Sequence, residues 1–170
     1  MDAATATLIE PDPAQRPDIT VSVVNYRSAR LLKELLGSVR ERDGGPLDVE
    51  VVVVDNASGD HVRECVRESH PDATLILNER NLGFAGGVNA GVRAATAPHL
   101  LILNNDTQAA PSMLSELTRA LASHPDLAAV APVANDVRGE AQMPFGNIGR
   151  DATGRGRIAA ALAEHPPLQD

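Results

Sequence analysis

"VEVVVVDNASGD", Val49 to Asp60, is the stretch on which the fold turns. Its valine run is short, β-branched and apolar throughout, and turn-forming residues close it. That is the pattern of a strand buried on both faces. Upstream, "ITVSVV" (Ile19 to Val24) reads the same way, and Leu31, Leu32, Leu35, Leu36 and Val39 recur between the two at helical spacing. Downstream come a shorter apolar face (Val62, Cys65, Val66), a third strand "ATLIL" (Ala73 to Leu77) and a helical pattern of Phe84, Val88, Val92 and Ala95. A fourth strand "HLLIL" (His99 to Leu103) follows, then a helix on Met113, Leu114, Leu117 and Leu121 with Pro111 at its first position. "LAAVAPV" (Leu127 to Val133) is a weaker fifth strand. Strand and helix alternate, which predicts an α/β fold: a mainly parallel sheet, right-handed crossovers, helices on both faces.

Composition narrows the class. A chain of 170 residues with 43% hydrophobic content can bury a core, and no apolar run reaches membrane-spanning length. The first 17 residues lack a basic start and an apolar stretch, so they read as a flexible leader and not a secretory signal. Cytoplasmic location is the default expectation. A net charge of −8 with no basic stripe argues against nucleic acid. The single cysteine, Cys65, excludes an internal disulfide and a cysteine-built zinc site, and the five histidines show no metal-ligand spacing. The expected nucleotide-binding domain runs over 18–136. Residues 137–170 form a Gly/Pro-rich tail with a short helix, "IAAALAEH" (Ile158 to His165).

Ligands of parallel sheets collect beyond the C-terminal strand ends. That rule singles out Asn25 and Tyr26, Asp55 to Asp60, and Asn104 to Asp106. Asp55 directly follows a buried strand, where its carboxylate can accept the imide N–H of uracil or thymine. The same segment also suits a turn with a helix cap, and Ser58 and Asp60 are assigned to that cap. Asp106 ends another buried strand, a position suited to a hard divalent cation that shares oxygen ligands with a substrate. "NLGFAGGVNAG" (Asn81 to Gly91) opens a helix at the same edge. It has neither the Lys-Ser/Thr of a Walker loop nor the Gly-x-Gly start of a dinucleotide fingerprint.

Taken in order, "VSVVNYRSARLLKELLGSV", "VEVVVVDNASGD", "NERNLGFAGGVNAGV" and "HLLILNNDT" resemble the nucleotide-binding half of family-two glycosyltransferases. The likeness is nearest to the rhamnosyltransferase-like branch that builds bacterial surface polysaccharides, and it covers roughly Asp18 to Val133. It implies the GT-A architecture, a UDP- or dTDP-sugar donor, a glycan or lipid-linked acceptor and a magnesium or manganese ion. By this resemblance Asn25 and Tyr26 meet the nucleoside, and Asp55 with Asn56 beside it meets the pyrimidine. Asn81, Gly83, Phe84, Gly87 and Asn89 line the nucleotide-sugar pocket, with Arg80 near the charge. Asn104, Asn105 and Asp106 match the Asp-x-Asp metal motif. Glycines 83, 86 and 87 then admit the ribose and diphosphate, while tight helix–sheet packing at Gly87 and Gly91 is a second use of the same residues.

Two departures follow. Asn104 replaces the first acid of the motif, which rests metal binding on Asp106. The family's general base comes from a later segment. Here Asp136, Glu140, Asp151 and Glu164 lie in no matching motif, so a partner chain or second copy completing the acceptor site enters as an expectation, with attachment to the inner face of the membrane. Three functions remain in view: a glycosyltransferase, a non-catalytic nucleotide-sugar-binding module, and a nicotinamide-binding domain, the last disfavoured by the missing fingerprint.

Overall fold

The computed structural model describes residues 16–41, 46–59, 61–132, 134–135 and 141–142. The leader up to residue 15, Asp60, and the tail except residues 141–142, with its expected helix at Ile158 to His165, lie outside the described residues. Two units divide the chain after Ala109.

The first unit carries β1 (Ile19–Asn25), α1 (Ala29–Arg40), β2 (Val49–Asp55), α2 (Val62–Ser69), β3 (Thr74–Leu77), α3 (Gly83–Ala94) and β4 (His99–Asn104). All four strands are parallel, in the order β3-β2-β1-β4. β1 and β2 are central, and Val21, Val23, Val51, Val52, Val53 and Val54 are fully buried, as a run apolar on both faces requires. Crossovers from β1 to β2 and from β2 to β3 step in one direction, so right-handedness places α1 and α2 together on one face. Those helices touch, and the Cys65 thiol donates to the Ala29 carbonyl at 3.2 Å. The return from β3 to β4 steps the other way, which puts α3 on the opposite face, against β1 and β2. On α1, Leu32, Leu35 and Leu36 are fully buried, each worth about 1.5–3 kcal/mol of transfer free energy.

α3 does not bury the face that apolar spacing predicts. Phe84 is 59% exposed and Val92 45%, while Gly87, Ala90 and Gly91 face the sheet. The cause is distance. A Cβ on Gly91 would stand 2.0 Å from Ser22 Oγ, and one on Gly87 would stand 2.6 Å from Val24 Cγ1. The helix backbone therefore lies directly on β1, and larger side chains are turned aside. Ala90 completes the contact with Val52 and Val54, joined by Ile76 and Ala94.

The second unit holds α4 (Met113–Ser123), with Leu114 and Leu117 buried, and a short antiparallel pair, β5 (Ala134–Asn135) with β6 (Ala141–Gln142). Pro111 lies in the turn before Ser112, the N-cap, and not at the first helical position. The fifth strand expected at Leu127 to Val133 is absent over 127–132, and residue 133 lies outside the described residues. Alanine is a weak strand former, and Pro132 has no N–H to give a ladder.

Candidate functional site

β1 leads to β2 and β3 on one side, and β4 returns on the other. The sheet's switch point therefore falls between β1 and β4, where such folds leave a crevice at the C-terminal edge. A cleft of about 250 Å³ opens there, lined by Val24, Tyr26, Asn56, Asn81, Gly83, Phe84, Asn104 and Asn105. Seven of these residues were selected from the sequence. The chain has one tyrosine and two phenylalanines, and Tyr26 and Phe84 both line this cleft.

Beside it lies a closed polar network. Asp55 is 4% exposed and Asn25 fully buried. Asn25 Nδ2 donates to Asp55 Oδ1 at 2.9 Å and to Ser58 Oγ at 3.1 Å. Ser58 donates its hydroxyl to Asp55 Oδ1 and its backbone N–H to Oδ2 at 3.0 Å. The Ser58 oxygen also accepts the N–H of Arg27 at 2.9 Å. Asn105 Nδ2 donates to Asn25 Oδ1 at 3.1 Å, tying the end of β4 into the set. Ser58 is thus not the cap of α2. His61 holds the N-cap position without a side-chain cap bond, while Ser58 braces the Asp55 carboxylate.

A second relay fixes the start of α3. Asn78 Nδ2 donates to Asn56 Oδ1 at 2.8 Å, and Asn56 Nδ2 donates to the Gly83 carbonyl at 3.0 Å. Asn81 Oδ1 accepts the Gly83 N–H at 2.8 Å. Gly83 itself has φ +71°, a left-handed turn that glycine adopts without strain. The following N–H groups of the first turn have no partner within the helix, the arrangement that suits anions.

The remaining expected residues lie around the cleft without lining it. Gly87 packs on Val24 and Asn89 is exposed further along α3. Arg80 is exposed in the loop before Asn81, and the Arg27 guanidinium lies 5.1 Å from the Tyr26 ring centre. Asp106 is exposed in the turn after β4. Among the described residues no three His, Cys, Asp or Glu side chains converge on a metal site. One carboxylate flanked by amide oxygens still fits a hard cation that takes its other ligands from a diphosphate and water. Val24 and Asn78 are the site residues that the sequence did not single out, and Ser58 was expected as a cap. A signal was present for Asn78: it follows β3 as Asn25, Asp55 and Asn104 end their own strands.

Comparison with known proteins agrees with this fold. Residues 20–158 match the family model described as glycosyl transferase family 2. The succinoglycan biosynthesis protein ExoO of Rhizobium meliloti (strain 1021) is 34% identical over 102 residues, 59% of this chain and 29% of that protein. The validoxylamine A glucosyltransferase of Streptomyces hygroscopicus subsp. limoneus is 34% identical over 112 residues, 64% of this chain and 24% of its own. Among solved structures, the mannosyltransferase PcManGT from Pyrobaculum calidifontis, in complex with GDP-Man and Mn2+, superposes with a TM-score of 0.61. It is 36% identical, over 75% of this chain and 38% of that one. S. aureus TarS 1-349 shares the fold at a TM-score of 0.66 and 23% identity, over 78% of this chain and 40% of its own. The chain spans less than a third of the length of the curated relatives it matches. Because the family match begins in the first strand and runs through the whole sheet with its cleft, the chain belongs to glycosyl transferase family 2.

Proposed function

We propose that this domain binds a nucleoside-diphosphate sugar carrying uracil or thymine and serves glycosyl transfer to a glycan or lipid-linked acceptor in surface-polysaccharide synthesis. The observation that carries this reading is the cleft at the β1/β4 switch point, with Asp55 buried beside its lining residue Asn56. In it, Asp55 accepts the imide N–H of the base, and Tyr26 supplies an aromatic surface for the nucleoside. The first turn of α3, held by Asn56 and Asn81, faces the diphosphate with its N–H groups. Phe84 and Asn104 border the space left for the sugar.

A chain of net −8 needs positive charge to hold a diphosphate. Arg27 and Arg80 supply part of it. Asp106, with the oxygens of Asn104 and Asn105, would hold a magnesium or manganese ion, whose chemistry is to stabilise the departing diphosphate. The Pyrobaculum neighbour, bound to GDP-Man and Mn2+, supports a nucleoside-diphosphate sugar and the ion, and not the choice of base. Among the described residues no helix is long and apolar enough to cross a membrane. Work at the cytoplasmic face of one, on a lipid-linked acceptor, is part of the proposal.

Calorimetry of the chain with UDP tests the reading. Asp55→Ala should weaken binding by about 1.5–3 kcal/mol, the range for a charged hydrogen-bond partner. Unchanged affinity in a folded variant would return Asp55 to a purely structural turn.

A further inference from the structure

We propose that Ser58 and Asn25 set the base preference of the cleft by saturating one oxygen of Asp55, leaving a single-point acceptor that fits uracil or thymine and not guanine. The inference rests on the reading of Asp55 as the base-contacting residue.

A carboxylate offers about four lone-pair positions, two on each oxygen. Both positions of Asp55 Oδ1 are occupied, one by Asn25 Nδ2 and one by the Ser58 hydroxyl. Oδ2 holds the Ser58 N–H, which leaves one position. The donors cannot easily be redirected, because each is also held by other members of the network. A serine hydroxyl has one donor and two acceptor positions. Ser58 gives its proton to Asp55 and accepts from Asn25 and from Arg27. Asn25 Nδ2 donates to Asp55 and Ser58, acceptors that stand together on one side of the nitrogen, and its oxygen accepts from Asn105. The 4% exposure of Asp55 agrees with one small contact and not a broad one.

The bases differ in what they ask of such a group. Uracil and thymine present one imide N–H between two carbonyls, and one oxygen satisfies it. Guanine presents two adjacent donors, N1–H and the exocyclic amine, which need both carboxylate oxygens side by side. Cytosine presents an acceptor, N3, which a carboxylate repels. Pairing guanine here would strand a buried donor against the saturated Oδ1, and an unmade hydrogen bond costs more than a made one returns. Ser58 and Asn25 therefore act through Asp55 as positioning residues, without touching the ligand.

Titration of the 170-residue chain with UDP, CDP and GDP in millimolar manganese tests this. UDP should bind about tenfold or more tightly than GDP, the factor that one unmade bond to a buried group supports. Ser58→Ala frees a position on Oδ1 and should narrow the UDP-to-GDP ratio by about fivefold, while Ser58→Thr restores it. Asn25→Ala removes the other Oδ1 donor and should narrow the ratio likewise, which covers the case of Ser58→Ala failing to fold. A preference for UDP over CDP with UDP and GDP equal would overturn the inference and leave the Asp55 reading standing. Equal weakening of UDP and GDP by Ser58→Ala, at a constant ratio, would also overturn it. Indifference among all three nucleotides, or no binding, would overturn the Asp55 reading and this inference with it.

Discussion

Asp55 and Asp106 are both carboxylates at strand ends, and burial separates their uses. Asp55 is held by three donors and nearly sealed, which suits a neutral N–H that needs no hydration shell. Asp106 is exposed in its turn, which suits a cation that keeps several waters. Manganese or magnesium should therefore raise the affinity for UDP, and Asp106→Ala should abolish that rise while leaving metal-free binding intact. Equal affinity in chelator and in millimolar metal would remove Asp106 from the site. At this scale the sequence was informative about strand-end position and silent about partners. Asp55 was selected because it ends a valine run. Ser58 was assigned to a cap because Asp-Asn-Ala-Ser-Gly-Asp suits one, and only the approach of Asn25, 33 residues away, shows its other role.

At the scale of the element, α3 is the instructive case. Apolar spacing marked Phe84, Val88, Val92 and Ala95 as its inner face, because a count of apolar side chains gives glycine no weight. Contact distance decides otherwise, since the residue with no side chain lets the helix axis come nearest. Gly91→Ala measures that closeness. Alanine improves helix propensity by about 1 kcal/mol, and overpacking costs about 1–3 kcal/mol. A Cβ 2.0 Å from Ser22 Oγ and 3.2 Å from Ser22 Cβ belongs at the upper end, so net destabilisation is expected in urea or thermal melts. Ser22→Ala should run the other way. Its hydroxyl is buried without a hydrogen-bond partner among the described residues, so losing it should stabilise by up to about 1 kcal/mol. A Gly91→Ala variant as stable as the parent would show that α3 can slide off β1.

For the whole molecule, the four strands and their alternation with helices were legible because each strand is a short β-branched run with a turn at its end. The failed fifth strand, rich in alanine and holding Pro132, carried the weakest form of that signal. Transfer makes a demand that binding does not: a carboxylate within hydrogen-bond reach of the acceptor hydroxyl. The described cleft lining is amide, aromatic, Val24 and Gly83, with no acid in it. Asp136, Glu140 and Asp151 lie outside the described residues. In the sequence they sit among glycines and prolines with few apolar residues to fix a base, so the 170-residue chain is expected to bind a UDP-sugar yet transfer it to rhamnose- or N-acetylglucosamine-type acceptors very slowly. Robust transfer in a product assay would contradict this and direct mutagenesis to those three acids.

The Asn25 carboxamide has a spectroscopic consequence. Its two N–H protons sit in different surroundings in a fully buried position, because the Asp55 carboxylate and the Ser58 hydroxyl both face one side of the nitrogen. In a nitrogen-15 correlation spectrum they should appear as a sharp, widely split pair, and they should outlast the other asparagine side chains after transfer to heavy water. A nucleotide that bonds to Asp55 should shift the carboxylate-bound proton more than its twin. One side chain would thus report occupancy of the cleft without a label attached to either molecule.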